Sequence, residues 1–423
     1  MHVCSIELQS YRNYPSQTIT VEPDINVFFG ANAQGKTNIL EAVYLCACAR
    51  SHRTSRDTDL ISQGADQYGV RLTFADRTGQ EETIEIRYLD GVSGDPLRSK
   101  ATRLIYQNGV KLDKVSDLMG LFHAVIFAPE DLMLIKEGPA SRRRYLDLLI
   151  SQLRPTYFQD LQRYSRMLLQ RNKMLKDLRE AQKSDLEQLE IWDLQLAQCA
   201  ARIIATRLQF TARISDLAEK SHFSISSGKE KLNVRYKTIT GISKEDSITE
   251  ISEKIYKKYK TNVYDDIQKG LTSIGPHRDD LEMLLDEEAM KPYASQGQQR
   301  SAVLSLKLAE LEIITQEIGE RPVLLLDDVM SELDAERRRC LLSSIEEAQV
   351  FVTCTEASHV VSEIQEAESA PRQFRFFKVR KGSVQAVSLH QATRVPEPNT
   401  RQEVGAADEG SAITTSVLGS DLL

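Results

Sequence analysis

The sequence predicts an α/β protein in which a mixed sheet with flanking helices carries an inserted helical arm domain. Three observations support this fold class. A strand-like run at Ile25–Phe29 leads through a glycine-containing loop into a helix-like stretch, Lys36–Cys48. Large apolar residues recur at steps of three and four between Tyr157 and Leu217, which is the spacing of paired helices. Strand and helix patterns alternate again from about Ser273.

These elements divide the chain into four segments. Residues 1–118 are the N-terminal part of a head, with further strands predicted at 68–74, 83–89 and 102–106. Residues 119–269 are the inserted, mainly helical arm domain, and residues 270–390 complete the head. Residues 391–423 are rich in Thr, Ser, Gly, Ala and Glu without periodicity, which predicts a disordered acidic tail.

The arm is predicted as two antiparallel helices of roughly 25 and 35 residues, which would project about 35–50 Å at 1.5 Å per residue. A polar hinge at 182–185 separates the two helices. The same periodicity also fits two helices buried in a compact domain, so the sequence leaves both arrangements open.

Composition excludes several classes of protein. The 423 residues are 41% hydrophobic and 27% charged, which is typical of globular proteins and not of disordered ones. The longest apolar run, at 42–49, is about eight residues, whereas a membrane span needs roughly 20, so no membrane partner is expected. No signal peptide is expected either, and the scattered cysteines predict reduced thiols in a cytoplasmic protein.

The chain is acidic overall, with 54 Lys and Arg against 61 Asp and Glu and a formal net charge of −7. On its own, this balance argues against a nucleic-acid partner. A global sum averages over local patches, however, so the distribution of charge along the chain decides the question.

The glycine-containing loop fits the phosphate-loop pattern and has the confirming context, a strand before it and a helix after it. Its backbone N–H groups and the helix dipole would bind ATP phosphates, Lys36 would add a charge, and the Thr37 hydroxyl would bind Mg²⁺. The predicted nucleotide-binding residues are Gly30, Ala31, Asn32, Ala33, Gln34, Gly35, Lys36, Thr37 and Asn38.

An apolar run that ends in two acids, at 322–328, predicts the second half of this site. Asp327 would hold Mg²⁺, directly or through water. Asp328 would orient a water molecule against the γ-phosphate and is therefore the catalytic candidate. The alternative is a buried strand that surface acids simply cap.

A third motif precedes the acidic strand. Ser295, Gln296 and Gly297 stand at the start of a predicted helix with Val303, Leu306, Ala309 and Ile313 on one face, and Ser295 is expected to cap that helix. These residues resemble the signature of ABC-type ATPases, so the head is expected to be an ABC-type P-loop ATPase head.

In that superfamily two subunits enclose two ATP molecules, and the signature of one subunit contacts the nucleotide of the other. The resemblance therefore implies contacts across a dimer from Ser295, Gln296, Gly297, Gln298 and Asp334. Asp328 stands where glutamate is usual, and a shorter acid predicts slow turnover. The switch histidine and the Q-loop stay unassigned, because the nearest histidine is His359 and no glutamine lies near Glu130.

Seven motifs, in family order over about residues 1–390, resemble the bacterial RecF family. They lie at 8–14, 35–42, 51–54, 127–132, 138–144, 275–280 and 295–300. The resemblance implies a recombination-repair ATPase that dimerises on ATP and binds double-stranded and gapped DNA at single-strand/double-strand junctions. It also implies work with RecR and RecO to load RecA, a contribution to the SOS response, and a place for His52 and Arg53 in the nucleotide site.

DNA contact is expected on one basic stretch. Residues 142–183 hold eleven Lys or Arg against four Asp or Glu, and an ATPase core beside them favours contacts with the phosphate backbone over a merely solvated helix face. The DNA candidates are Arg142, Arg143, Arg144, Arg163, Arg166 and Lys173.

Two other functions share the same core. A transporter motor would need a membrane partner and a shorter chain between the phosphate loop and Ser295. A structural head of the SMC type would need a much longer arm with a hinge. A scaffold that binds ATP and hydrolyses it only slowly also stays open.

Overall fold

The computed structural model describes residues 1–91, 100–181, 186–345, 347–358 and 372–392. Its strands form two six-stranded sheets and one three-stranded sheet. In chain order the strands are β1 (His2–Tyr11), β2 (Tyr14–Thr20), β3 (Ile25–Phe29), β4 (Gln67–Ala75), β5 (Glu81–Leu89), β6 (Thr102–Gln107), β7 (Val110–Lys111), β8 (Ala124–Phe127), β9 (Leu232–Lys237), β10 (Asp280–Leu285), β11 (Glu288–Ala289), β12 (Val323–Asp327), β13 (Val350–Cys354), β14 (Phe374–Arg380) and β15 (Ser383–Val387).

Helices flank the sheets and make up most of the insertion. In chain order they are α1 (Lys36–Cys48), α2 (Met133–Lys136), α3 (Pro139–Leu153), α4 (Pro155–Ala181), α5 (Glu187–Ile225), α6 (Ile248–Lys269), α7 (Met290–Tyr293), α8 (Gln296–Ile318), α9 (Val329–Glu332) and α10 (Ala335–Ser344), followed by a single turn at Leu389–Ala392. Among the described residues, no helix has the length and apolar composition that crossing a bilayer requires.

The central sheet has the strand order β15-β14-β3-β13-β12-β8, and every neighbouring pair is parallel except β14 and β15. Alternate side chains of a strand face opposite sides of a sheet. Phe28 and Phe351 therefore pack in the core that contains α1, whereas Val27 and Val352 pack in the core that contains α8. Because parallel strands end at one edge, the loops after β3, β8, β12 and β13 meet there.

The second six-stranded sheet is antiparallel, with the order β2-β1-β4-β5-β6-β7. Its apolar side chains share a core with α1, so this helix lies between the two large sheets. The predicted strands at 68–74, 83–89 and 102–106 correspond to β4, β5 and β6, and the predicted bounds of β3 and α1 are those of the structure.

The insertion holds the two antiparallel helices expected from the periodicity, as the pairs Asp160–Arg202 and Arg171–Asp193 require. It differs from a projecting two-helix arm. A third helix, α6, packs against α4 and α5, and α5 also packs against α8 and β9. The reason is that α5 buries residues along most of its length, including small ones such as Ala200 and Ala218, which let neighbouring elements approach closely.

Two predicted segment boundaries need correction. β8 lies within 119–269 but pairs with β12 in the central sheet, and β10 lies beyond residue 270 but pairs with β9 of the insertion. Pairings between strands distant in sequence leave no local pattern. Of the predicted tail, residues 391 and 392 belong to the last helical turn, and 393–423 lie outside the described residues, as do the predicted hinge at 182–185 and His359.

Candidate nucleotide-binding site

The loop between β3 and α1 has a backbone that requires glycine at both ends. Gly30 has a φ of 149° and Gly35 a φ of 112°, conformations that L side chains rarely adopt. A Cβ atom on Gly30 would lie 2.4 Å from the carbonyl oxygen of Val379. Ala31, Asn32 and Ala33 between them are exposed, so the loop is open to a ligand from solvent.

Lys36 lies at the base of this loop and is buried. Its Nζ donates hydrogen bonds to the carbonyl oxygens of Gly30, at 2.7 Å, and Ala31, at 2.9 Å. Burial lowers the pKa of the Lys36 ammonium. The Lys36 ammonium group is therefore bound to two neutral carbonyl groups of the loop. An anionic ligand can take their place as hydrogen-bond partners of Lys36.

The predicted metal-binding pair, Thr37 and Asp327, is brought together although the two residues lie far apart in the sequence. The Thr37 hydroxyl donates a hydrogen bond of 2.9 Å to Asp327 Oδ1. Thr353, at the matching position of β13, donates to the same oxygen at 2.7 Å. Burial raises the pKa of Asp327, while these two hydroxyl groups oppose the shift.

Asp328 follows directly and has a left-handed backbone, with φ 52°. Its backbone N–H donates to the Thr353 hydroxyl at 2.9 Å, and its Oδ1 accepts a hydrogen bond of 3.1 Å from Ser331. The backbone turn presents this half-buried carboxylate at the sheet edge, beside Asp327. Thr353 thus orders both acids, and nothing in the sequence marked it, because one threonine in an apolar strand has no pattern.

The turn between β1 and β2 supports the phosphate loop through side-chain hydrogen bonds. Asn13 Nδ2 donates to the carbonyl oxygen of Gln34 at 2.8 Å, and the Tyr14 hydroxyl donates to that of Gly35 at 2.9 Å. Asn38, the last predicted nucleotide-binding residue, donates to Asn13 Oδ1 at 2.9 Å. Asn38 therefore supports the loop through Asn13. The motif at 8–14 contributes by fixing the position of the phosphate loop.

A buried carboxylate organises the next layer. Glu41 of α1 is fully buried and accepts two hydrogen bonds from the Arg12 guanidinium, at 2.8 and 2.7 Å. Hydrogen bonds from Arg12 and Ser51 lower the pKa of Glu41 against the effect of burial. Three separate sequence motifs thus meet around one side chain of α1.

Arg53 and His52 have different positions. Arg53 Nη1 donates to Asn38 Oδ1 at 3.1 Å, and its Nε lies 3.7 Å from Glu130 Oε1. His52 instead packs edge-on against Tyr44, with ring centroids 5.7 Å apart. Neither His52 nitrogen has a hydrogen-bond partner within the part of the chain that the structure describes, and burial lowers its pKa to about 4. Arg53 reaches the braced loop and His52 does not.

The predicted signature region forms the N-terminus of α8. Ser295 is the N-cap residue, as expected: its hydroxyl accepts from the Gln298 N–H at 3.3 Å, and Gln298 Oε1 accepts from the Ser295 N–H at 2.7 Å. Ser295 and Gln296 are exposed. The helix end therefore faces solvent, with its remaining N–H groups available to an anion.

Arg337 ties this helix end to Asp334, the N-cap of α10. Its Nη2 donates to the carbonyl oxygen of Gly297 and its Nε to the Ser301 hydroxyl, both at 2.9 Å, and its guanidinium pairs with Asp334. All five predicted dimer-contact residues, four at the start of α8 and Asp334 at the start of α10, thus belong to one surface that Arg337 connects. Arg337 was not singled out from the sequence.

A family model described as RecF/RecN/SMC N terminal domain matches residues 2–370. A DNA replication and repair protein RecF from Ruminiclostridium cellulolyticum is 40% identical over 384 residues, which cover 91% of this chain and 99% of that protein. The RecF of Acetivibrio thermocellus is 42% identical over 356 residues, covering 84% of this chain and 94% of that protein. The chain belongs to the RecF family.

Solved structures agree with this assignment. A structure of the recombination mediator protein RecF-ATP in the RecFOR pathway has a TM-score of 0.82 and 35% identity and covers 92% of this chain and 98% of that chain. The corresponding RecF-ATPrS structure has a TM-score of 0.80 at 36% identity with the same coverage. The predicted fold class, an α/β head of the ABC-type P-loop kind with an inserted helical domain, is confirmed.

The basic residues of α3 are engaged within the protein. Arg142 forms a two-pronged ion pair with Asp280 of β10, at 2.7 and 2.8 Å, and its side chain is only 11% exposed. Arg143 Nη1 donates to the carbonyl oxygen of Asp279, and Arg144 Nη2 to that of Ser51, both at 2.6 Å. Arg142 thus joins two elements of the fold, which leaves little of its side chain exposed for the predicted DNA contact.

The other DNA candidates lie on α4, where Arg163, Arg166 and Lys173 are exposed. Of the tyrosines near them, Tyr157 and Tyr164 are buried, so they pack in the core as their spacing predicted. Arg171, within the same basic stretch, is also fully buried and pairs with Asp193 and Asp266. The basic stretch therefore divides into structural arginines and a smaller exposed set.

Proposed function

We propose that this RecF-family chain is an ATP-dependent DNA-binding protein of DNA replication and recombinational repair, in which ATP closes a homodimer on DNA. The hydrogen bond from Thr37 to Asp327 carries the proposal. It joins the phosphate loop to the acidic strand, which is the arrangement needed to bind a nucleoside triphosphate with its metal. The solved RecF-ATP relative supports ATP as that nucleotide.

The donors at this junction fit Mg²⁺. Thr37 and Asp327 offer hard oxygen ligands, and Mg²⁺ is usually held by one or two carboxylates together with substrate phosphates. The described residues contain no cluster of three or more His, Cys, Asp or Glu side chains that could hold a metal alone. Bound there, Mg²⁺ supplies neutralising charge for the phosphates.

The residues of the chain then have distinct roles. The N–H groups from Gly30 to Thr37 bind phosphate oxygens, and Lys36 exchanges its carbonyl partners for the phosphates. Asp328 accepts a hydrogen bond from the attacking water and so orients it in line with the γ-phosphate. An aspartate at this position reaches less far than a glutamate, so hydrolysis is slow. The rate of hydrolysis then sets how long the ATP-bound dimer stays closed.

Ser295, Gln296, Gly297, Gln298 and Asp334 act across the dimer. The exposed start of α8 can bind an anion, because its first N–H groups face solvent. A second subunit would bring its bound γ-phosphate to this terminus, so ATP becomes part of the interface. The names of the relatives, which refer to DNA replication and repair and to the RecFOR pathway, support these roles. We propose further that the chain acts in the cytoplasm, binds DNA junctions, works with RecR and RecO to load RecA, and contributes to the SOS response.

Two assays on the full-length protein test the proposal. In a gel shift on gapped DNA over a salt series, ATP should tighten binding, and affinity should fall with salt because phosphate contacts release counterions. Binding that is indifferent to both ATP and salt would contradict the DNA switch.

Single-turnover hydrolysis tests the catalytic assignment. Asp328→Asn should slow hydrolysis about 100-fold while ATP binding is retained, whereas Lys36→Ala should weaken ATP binding itself. An unchanged rate in Asp328→Asn would remove Asp328 from its role.

A further inference from the structure

A cleft of 690 Å³ lies between the end of α1 and the helices α3 and α4. Four arginines line it: Arg50, Arg143, Arg144 and Arg166. Arg50 comes from the loop directly after α1, so three elements that are separate in the sequence supply the charge. Leu148, Phe158 and Leu161 add apolar surface to the lining of the cleft.

Carboxylates lie near two arginines of this cleft: Asp57 lies near Arg50, and Asp147, Asp279 and Asp280 lie near Arg143. Within the described ranges, no carboxylate forms an ion pair with any of the four arginines. The one acid in the lining, Asp147, already holds the buried Arg207 through two hydrogen bonds of 2.9 Å. Arg143 and Arg144 are anchored by backbone carbonyls, which fix the guanidinium groups without cancelling their charge.

Two of the four arginines also lie close to other positive charges. Burial, followed by the nearby charges of Arg144 and Arg103, lowers the pKa of Arg50. Burial and the charge of Arg207 likewise lower the pKa of Arg143. Like charges held together cost free energy in the unbound protein, and an anion in the cleft relieves that cost.

The positive surface continues out of the cleft along α4. Lys173 lies two helical turns beyond Arg166 on the same face, about 10 Å away at 1.5 Å per residue, and Arg163 lies one turn before it. Asp177, one further turn along that face, ends the stripe. A linear array of this length fits a polyanion with regularly spaced charges better than a single small anion.

We propose that the cleft of Arg50, Arg143, Arg144 and Arg166 binds the phosphodiester backbone of one DNA strand, with the α4 stripe continuing the contact. This deepens the proposed DNA-binding function and rests on it. It adds Arg50, replaces Arg142, and predicts binding without base selectivity, since the cleft offers charge and no groove-reading element.

The cleft and the phosphate loop are at opposite ends of one helix. α1 begins at Lys36, and its 13 residues span about 20 Å before Arg50. DNA in the cleft therefore does not compete with ATP for the loop. Substitutions at Arg50 should leave ATP affinity unchanged, which separates the two sites experimentally.

Salt-dependent DNA binding of the full-length protein tests the proposal, with a fluorescent duplex carrying a gap as the probe. Arg50→Gln/Arg166→Gln removes two cleft charges whose side chains do not anchor the fold. Lys257→Gln/Lys258→Gln removes two exposed charges from α6 and is the matched control. Each variant is first checked for an unchanged thermal midpoint and unchanged ATP affinity.

The arginine variant should bind more weakly, and the slope of log K against log salt concentration should be less steep by about 1.8, or about 0.9 for each lost phosphate contact. The lysine control should match the wild type. If the wild type binds and the two variants are indistinguishable from each other, the cleft is not the DNA site. If the wild type binds no DNA at any salt concentration, the proposed function itself fails, and the inference with it.

Discussion

Thr353 holds both acids of the nucleotide site through a single hydroxyl group. It donates to Asp327 Oδ1 at 2.7 Å and accepts from the Asp328 N–H at 2.9 Å. Removing this buried hydroxyl leaves the Asp328 N–H without the acceptor described here and takes one of two hydroxyl donors from Asp327 Oδ1, at a cost of about 1–3 kcal/mol. The position of the turn that carries the proposed catalytic acid, Asp328, therefore depends on the Thr353 hydroxyl.

Thr353→Val should lower the free energy of unfolding by about 2 kcal/mol and weaken Mg²⁺-dependent ATP binding, because the Asp327 carboxylate and the Asp328 backbone lose their common anchor. Urea denaturation and an ATP titration measure the two effects. Thr353→Ser keeps the hydroxyl and should stay near wild type in both. Equal losses in the two variants would show that methyl packing, and not the hydroxyl, matters here.

His52 makes stability depend on pH. Burial lowers its folded-state pKa from the ordinary 6.5 to about 4, so between these values the unfolded chain binds a proton that the folded chain does not. The free energy of unfolding that depends on neutral His52 is therefore fully present above pH 6.5 and is lost as the pH falls toward 4. His277, with a pKa also lowered to about 4 by burial, adds to the loss in the same window.

His52→Phe should reduce this loss. Between pH 7 and pH 5, the free energy of unfolding of the variant should fall by about 2 kcal/mol less than that of the wild type. Chemical denaturation at the two pH values gives the comparison. A variant whose pH dependence equals that of the wild type would show that His52 does not titrate as proposed.

The phosphate loop, the acidic strand and the cap of α8 were predictable because each has a local signal: a glycine pattern, an apolar run and a capping residue. The side chains that support these three features were not predictable. Arg12 and Glu41 meet across strands and helices that are distant in sequence, and a lone charged residue gives no sign that it will be buried. Side-chain partners of this kind become visible only once the fold has placed them.

In the insertion, the packing of helices and strands decides which residues of the basic stretch are paired within the protein and which are exposed. Local periodicity predicted α4 and α5, but not that α6 and α8 cover them or that β9 pairs with β10. Those neighbours convert several basic residues into structural ones. Arg142 on α3 binds Asp280 at the start of β10, and Arg171 on α4 lies buried between Asp193 and Asp266.

Arg142→Gln should therefore act on stability and not on DNA. Losing a charge-assisted pair that is mostly buried should lower the free energy of unfolding by about 2 kcal/mol, while the salt slope of DNA binding stays that of the wild type. Denaturation and gel shifts measure the two quantities. A shallower salt slope with unchanged stability would return Arg142 to the DNA-binding surface.

At the scale of the whole molecule, the net charge of −7 conceals an uneven distribution. Several basic groups are paired within the fold, such as Arg142 with Asp280 and Arg171 with Asp193. The arginines of the cleft and Arg163 and Lys173 of α4 form no ion pair with the residues that the structure describes. The acidic surface elsewhere should limit indiscriminate contact with DNA. If the cleft binds DNA as proposed, the proposed ATP-dependent dimer would present two copies of it.

The proposed dimer is tested most directly by the mass of the full-length protein in solution, measured by light scattering with and without ATP and Mg²⁺. Wild type and Asp328→Asn should be monomers without ATP and dimers with it. Ser295→Arg should bind ATP but stay monomeric, because its bulk blocks the exposed start of α8 from the partner's nucleotide. A wild-type protein that binds ATP yet never dimerises, or a Ser295→Arg variant that dimerises like the wild type, would contradict the account.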